Sequence, residues 1–106
     1  MSKRIPLEVV PTDHSIIKFG TPLLIPVEIL DKGTPQQCYF VELKEIGVSA
    51  VGVDIEELYS CLHSDIRMTW KRVCHKPKRT LTPEDKEIRR QFRKLAEEIN
   101  IGDPTA

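Results

Sequence analysis

The sequence predicts an α+β fold: an antiparallel sheet of three or more strands packed against a long amphipathic helix, with a second helix toward the C-terminus. Three observations lead there. Short β-prone runs separated by turn residues fill positions 1–53. At Asp54 the spacing of apolar residues changes to steps of three and four, the period of a helix face. A second helix start, Thr82-Pro83-Glu84-Asp85, follows a polar loop. At 106 residues the chain is one domain, 1–106, long enough to bury a core.

IPLEVV (5–10) and SIIKF (15–19) read as short strands joined by a turn at Pro11-Thr12-Asp13-His14. LLIPVEIL (23–30) is a longer one. Pro22 and Pro26 each lack an amide donor, which assigns this run to a sheet edge or a bulge. DKGTPQQ (31–37) is a turn by its Asp, Gly and Pro content. CYFVELK (38–44) alternates, with Tyr39, Val41 and Leu43 on one face and Phe40, Glu42 and Lys44 on the other. After Glu45-Ile46-Gly47 the run VSAVGV (48–53) adds a further strand, so 23–53 reads as a three-stranded antiparallel meander.

The first helix is expected over 54–74. Ile55, Leu58, Tyr59, Leu62, Ile66, Trp70 and Val73 form its apolar stripe. Asp54 caps its start, Glu56 and Glu57 lie where the helix dipole favours anions, and Lys71 and Arg72 where it favours cations. Pro77 stops it, because it restricts the preceding residue and donates no hydrogen bond. The second helix is expected over 82–100, with Thr82 as cap, Pro83 in the first position and the stripe Ile88, Phe92, Leu95, Ala96 and Ile99. Residues 101–106 read as a frayed tail.

Formal net charge is zero, but the charges are segregated. Met1–Ile66 holds five Lys/Arg against ten Asp/Glu, whereas Arg67–Lys94 holds eleven against three. Such asymmetry marks a nucleic-acid surface, an acidic partner, or two complementary halves of one fold. The basic candidates for contact with DNA or RNA are Lys71, Arg72, Lys76, Lys78, Arg79, Arg89, Arg90 and Arg93. The competing explanation is an ordinary solvated helix face, on which Glu84, Asp85, Glu87, Glu97 and Glu98 pair with the same cations. Trp70 and Phe92 fall on apolar stripes and so read as core residues, not base-stacking platforms.

No run approaches the ~20 apolar residues needed to span a bilayer, and MSKRIPLEVV lacks the apolar region of a signal peptide. Cys38, Cys61 and Cys74 are odd in number and widely spaced, which suits a reducing cytoplasm. Cys61-x-His63 and Cys74-His75 do not make a zinc site, because residues two apart on a helix point roughly opposite ways. No cofactor motif, glycine-framed nucleophile or phosphate-binding glycine loop is present. Glu56-Glu57 and Glu97-Glu98 read as solvated pairs on helices.

From Ile25 to Val73 the order of hairpin, short third strand and helix, with Gly52-Val53-Asp54-Ile55-Glu56-Glu57-Leu58 at the helix start, resembles the HicB-like antitoxin fold. That family typically opens the helix with T-x-E-E-A and carries Pro-Asp-x-Pro-Gly where this chain has Leu43-Lys44-Glu45-Ile46-Gly47. The resemblance implies a small oligomeric binding module with a toxin or RNA-related partner, and assigns no site residues.

The resulting expectation is a small non-catalytic cytoplasmic interaction or regulatory protein, acting as a homodimer or on a protein partner. Edge strands 23–30 or 48–53 would pair across a two-fold axis, or the stripe Ile88, Phe92, Leu95 and Ile99 would clasp a second subunit. The alternative is a nucleic-acid binder using the basic region 71–94.

Overall fold

The computed structural model describes residues 3–100; the expected frayed tail, 101–106, lies outside them. The chain runs β1 (Lys3–Pro11), β2 (Ser15–Leu30), β3 (Cys38–Leu43), β4 (Val48–Gly52), α1 (Ile55–Cys74), α2 (Pro83–Leu95) and β5 (Ala96–Asn100). All pairings in the five-stranded sheet are antiparallel, in the order β1-β2-β3-β4, with β5 also on β2. The α+β class, the long first helix and the second helix are as the sequence predicts.

SIIKF and LLIPVEIL are one strand, not two. β2 runs unbroken from Ser15 to Leu30, and the Phe19–Pro22 segment is absorbed as a bulge opposite Glu8. LLIPVEIL gains a strand on its second side only at its C-terminal end, so its start is open on one side, as its prolines indicate. β1 pairs Leu23–Val27 on one side, and on the other side β5 takes Ser15–Phe19 and β3 takes Glu28–Leu30. Between these two partners, positions 20–27 have a strand on one side only. Pro22 and Pro26 sit in that gap, where a missing donor breaks no ladder.

The second helix is shorter than expected. It ends at Leu95, and Ala96–Asn100 turns extended to pair with the first five residues of β2. Helix propensity favours Ala96, Glu97 and Glu98 remaining helical, but weakly per residue. Leaving the N-terminal half of β2 unpaired on that side would strand its backbone donors and acceptors, a larger penalty.

One face of the sheet carries the core. Ile17, Phe19, Ile25 and Val27 of β2, Val41 of β3, and Val48 and Ala50 of β4 meet Leu58, Leu62, Ile66, Trp70 and Val73 of α1. Trp70 packs edge-to-face on Phe92 with ring centroids 5.2 Å apart. Asp54 accepts the Glu57 amide at 2.8 Å and Thr82 accepts the Asp85 amide at 3.1 Å, so both helices start where their caps indicate. Gly52 brings β4 against the first turn of α1, since a Cβ there would run into the Leu58 backbone. Gly47 is left-handed (φ 64°) and faces Ile88, whose Cδ1 would lie 2.8 Å from an added Cβ. The stripe assigned to a second subunit is therefore used within the chain. Ile88 and Phe92 are buried, Leu95 packs against the core, and Ile99 lies half-buried on β5.

Candidate nucleic-acid interface and a glutamate-centred pocket

Helix α2 turns its apolar side to α1, so its outward side shows what the sequence placed between the apolar positions. Rows at four-residue spacing emerge: Lys86, Arg90 and Lys94 in one, Arg89 and Arg93 in the other. Together with Lys78, Pro83 and Glu87 they line a shallow open groove of about 580 Å³. Six cations thus face one acid. Glu87 is held by Arg90, whose Nε donates to its Oε2 at 2.9 Å, and it also accepts from Gln91 at 3.1 Å. These bonds pull the Glu87 carboxyl down to about 2.

Of the eight basic residues read from the sequence, Lys78, Arg89, Arg90 and Arg93 are brought together in this groove. Arg79 sits beside Lys78 in the 3-10 turn Lys78–Thr80 and is exposed. Lys76 is exposed, and its carbonyl accepts from Arg89 Nη1 at 3.4 Å. The other two lie elsewhere: Arg72 pairs with Asp85 at 3.5 Å, and Lys71 lines a different pocket. Lys86 and Lys94 join the groove beyond the eight cations named from the sequence, and their four-residue spacing from Arg90 is the signal that points to them. The expected neutralisation by acids is sparse. Among the described residues no carboxylate lies within 4.0 Å of the charged ends of Lys76, Lys78, Arg79, Lys86, Arg89, Arg93 or Lys94.

A second constellation appears where β5 meets β2 and the end of α1. Glu98 Oε2 accepts from Ser15 Oγ at 2.6 Å, and Oε1 accepts from Trp70 Nε1 at 3.0 Å. His75 Nε2 lies 2.6 Å from the same Oε1, and Ser15 Oγ shares a further hydrogen bond with Thr12 Oγ1 at 2.5 Å. Burial pushes the Glu98 carboxyl up, but the Ser15, His75 and Trp70 hydrogen bonds and the His75 charge together hold it below its ordinary value. The adjoining pocket, about 200 Å³, is also lined by His14, Arg67, Lys71 and Asn100. The carboxylate stands at the centre of this cluster, and no imidazole bridges it to the hydroxyl. A nucleophile–base relay needs the reverse order, and Ser15 is only 2% exposed. Glu98 ties three elements together. Local sequence carries no signal of this, because adjacent Glu97 and Glu98 read as a solvated helical pair. In a strand, neighbours point to opposite faces, so Glu98 turns inward and Glu97 sits across from Lys18.

Cys38, Cys61 and Cys74 are free thiols. Burial pushes the Cys74 thiol up against the opposing pull of the Arg93 charge. His63 stacks edge-on against Tyr59. Among the described residues no three His, Cys, Asp or Glu side chains gather as a metal site, and no helix is long and apolar enough to cross a membrane. No family model, curated protein or solved structure matches the chain.

Proposed function

We propose that this chain is a non-catalytic binding module whose α2 groove takes the phosphate backbone of a nucleic-acid duplex. The observation that carries this reading is the surplus of cations: Lys78, Lys86, Arg89, Arg90, Arg93 and Lys94 share one groove with Glu87 alone. An ordinary solvated helix face interleaves charges of both signs, because like charges four residues apart repel. Here Lys86, Arg90 and Lys94 form an unbroken cationic row. Arg89 and Arg93 form a second cationic pair, whose row-mate Asp85 is engaged by Arg72. An external polyanion would supply the missing counter-charge.

The groove has no aromatic lining, and Trp70 and Phe92 are buried. Base stacking is therefore not part of the reading, which favours backbone contact on a duplex over capture of unpaired bases. The HicB-like resemblance, with its implied RNA-related partner, is compatible with this proposal and adds no residue to it.

The test is fluorescence anisotropy of labelled DNA and RNA duplexes at roughly 50 and 200 mM salt. If three or four phosphates are neutralised, the log–log salt slope should be about −3, and affinity should fall about a hundredfold over that range. Changing Lys78, Arg89 and Arg93 together to Glu should abolish binding while the fold persists. Binding that ignores salt, or that survives the triple change, overturns the proposal.

A further inference from the structure

We infer that the free edge of β4 is a docking site for an extended basic segment of a partner protein, which would add to the sheet as a sixth strand. This goes beyond the nucleic-acid reading and does not depend on it. Among the described residues the sheet ends at β4, which pairs with β3 alone. The Ser49 amide donates to Asp65 Oδ2 at 3.0 Å, so it points away from β3. By the alternation of an antiparallel ladder, Val51 presents its backbone groups to the same open side as Ser49, while Val48, Ala50 and Gly52 bond to β3, and Val53 follows just beyond the strand. The Val53 amide meets Glu57 Oε2 at 3.4 Å. Two helix carboxylates therefore cover the edge amides on either side of Val51, and the Val51 amide between them lies open.

Beside this edge is a groove of about 340 Å³, where α1 presents small residues: Ser60, Cys61 and Ser64, with Met68 at its lip. Short side chains leave room beneath the helix for another strand at the ordinary spacing of about 4.8 Å. Glu57 and Asp65 line the same groove and have no cationic partner among the described residues. On the opposite face of the sheet, Val51 is half exposed. An added strand would thus meet acid on its α1 side and apolar surface on its outer side. The matching occupant alternates Lys or Arg with Val or Ile, its backbone bonding to Val51 and its cations drawing Asp65 and Glu57 off the edge amides. Those same carboxylates would set a second copy of β4 against like charge, so the edge favours a basic partner over self-pairing.

The probe is a short fluorescein-labelled peptide alternating valine and lysine, followed by anisotropy and by amide resonances of the full chain. Binding should shift Ser49, Val51 and Val53, whereas a valine–glutamate peptide should leave them in place. Val51→Pro removes the open donor without touching a β3 bond, and should weaken the basic peptide about tenfold. Glu57→Lys combined with Asp65→Lys should reverse the preference to the acidic peptide. A basic peptide that shifts none of these amides at ~1 mM overturns the inference. So does unchanged affinity in a folded Val51→Pro chain. If that variant does not fold, basic-peptide binding retained by the double lysine variant overturns it instead.

Discussion

Glu98 shows how one side chain can carry several jobs that its neighbours in sequence do not share. Its two oxygens receive Ser15, Trp70 and His75, and so fasten the start of β2, the last turns of α1 and β5 together. Glu98→Gln keeps the volume and removes the charge, and should destabilise the fold at neutral pH by about 1–2 kcal/mol. The sign of the pH dependence follows from the depressed carboxyl. Stability supplied by this group is complete above its ordinary value of 4.5 and is lost as pH falls through its lower folded value. The gap between the parent chain and Glu98→Gln should therefore close in acid. Urea melts between about pH 3 and 7, repeated in a His75→Gln background that removes one of the three donors, check this; a gap independent of pH would deny the role. None of this was legible in the sequence. The three donors lie 83, 28 and 23 positions away, and only the sheet register aligns them.

Elements were legible to the extent that their signals are local. Asp54 and Thr82 cap helices as expected because a cap is decided within four residues. The end of α2 and the continuity of β2 were not readable, since both depend on a partner distant in sequence. β5 exists because β2 leaves part of one side open, and β2 passes through Gly20-Thr21-Pro22 because β1 accommodates a bulge. The fate of the α2 stripe follows from the same cause. A helix stripe asks for a partner, but periodicity cannot say whether the partner is in the same chain. Phe92 is fully buried against Trp70, so Phe92→Ala should destabilise the single chain by about 3–5 kcal/mol. Denaturation midpoints measured over a wide range of protein concentration distinguish this from a dimer contact. A midpoint shift that varies with concentration would return the stripe to an interface.

At the scale of the whole molecule, zero net charge hides two fields of opposite sign. Glu57 and Asp65 of α1 lie together beside the β4 edge, and cations gather on α2. Segregation of this kind works against the stability of the helix that carries it. Lys86–Arg90, Arg90–Lys94 and Arg89–Arg93 are like-charged neighbours one turn apart, each expected to cost about 0.2–0.5 kcal/mol at low salt. Among the described residues Arg90 alone of these is paired directly with an acid, Glu87. Stability and binding should therefore move in opposite directions. Lys86→Gln, Arg93→Gln and Lys94→Gln together should raise the melting temperature at low ionic strength, and the gain should fade as salt screens the repulsion. The same chain should bind duplexes at least tenfold more weakly at ~50 mM salt, because fewer phosphates are neutralised. Calorimetry and anisotropy on one preparation measure both. If the substitutions lower stability, these cations have intramolecular partners and the helix face is self-neutralised. If they raise stability without weakening binding, the repulsive rows have some purpose other than holding phosphate.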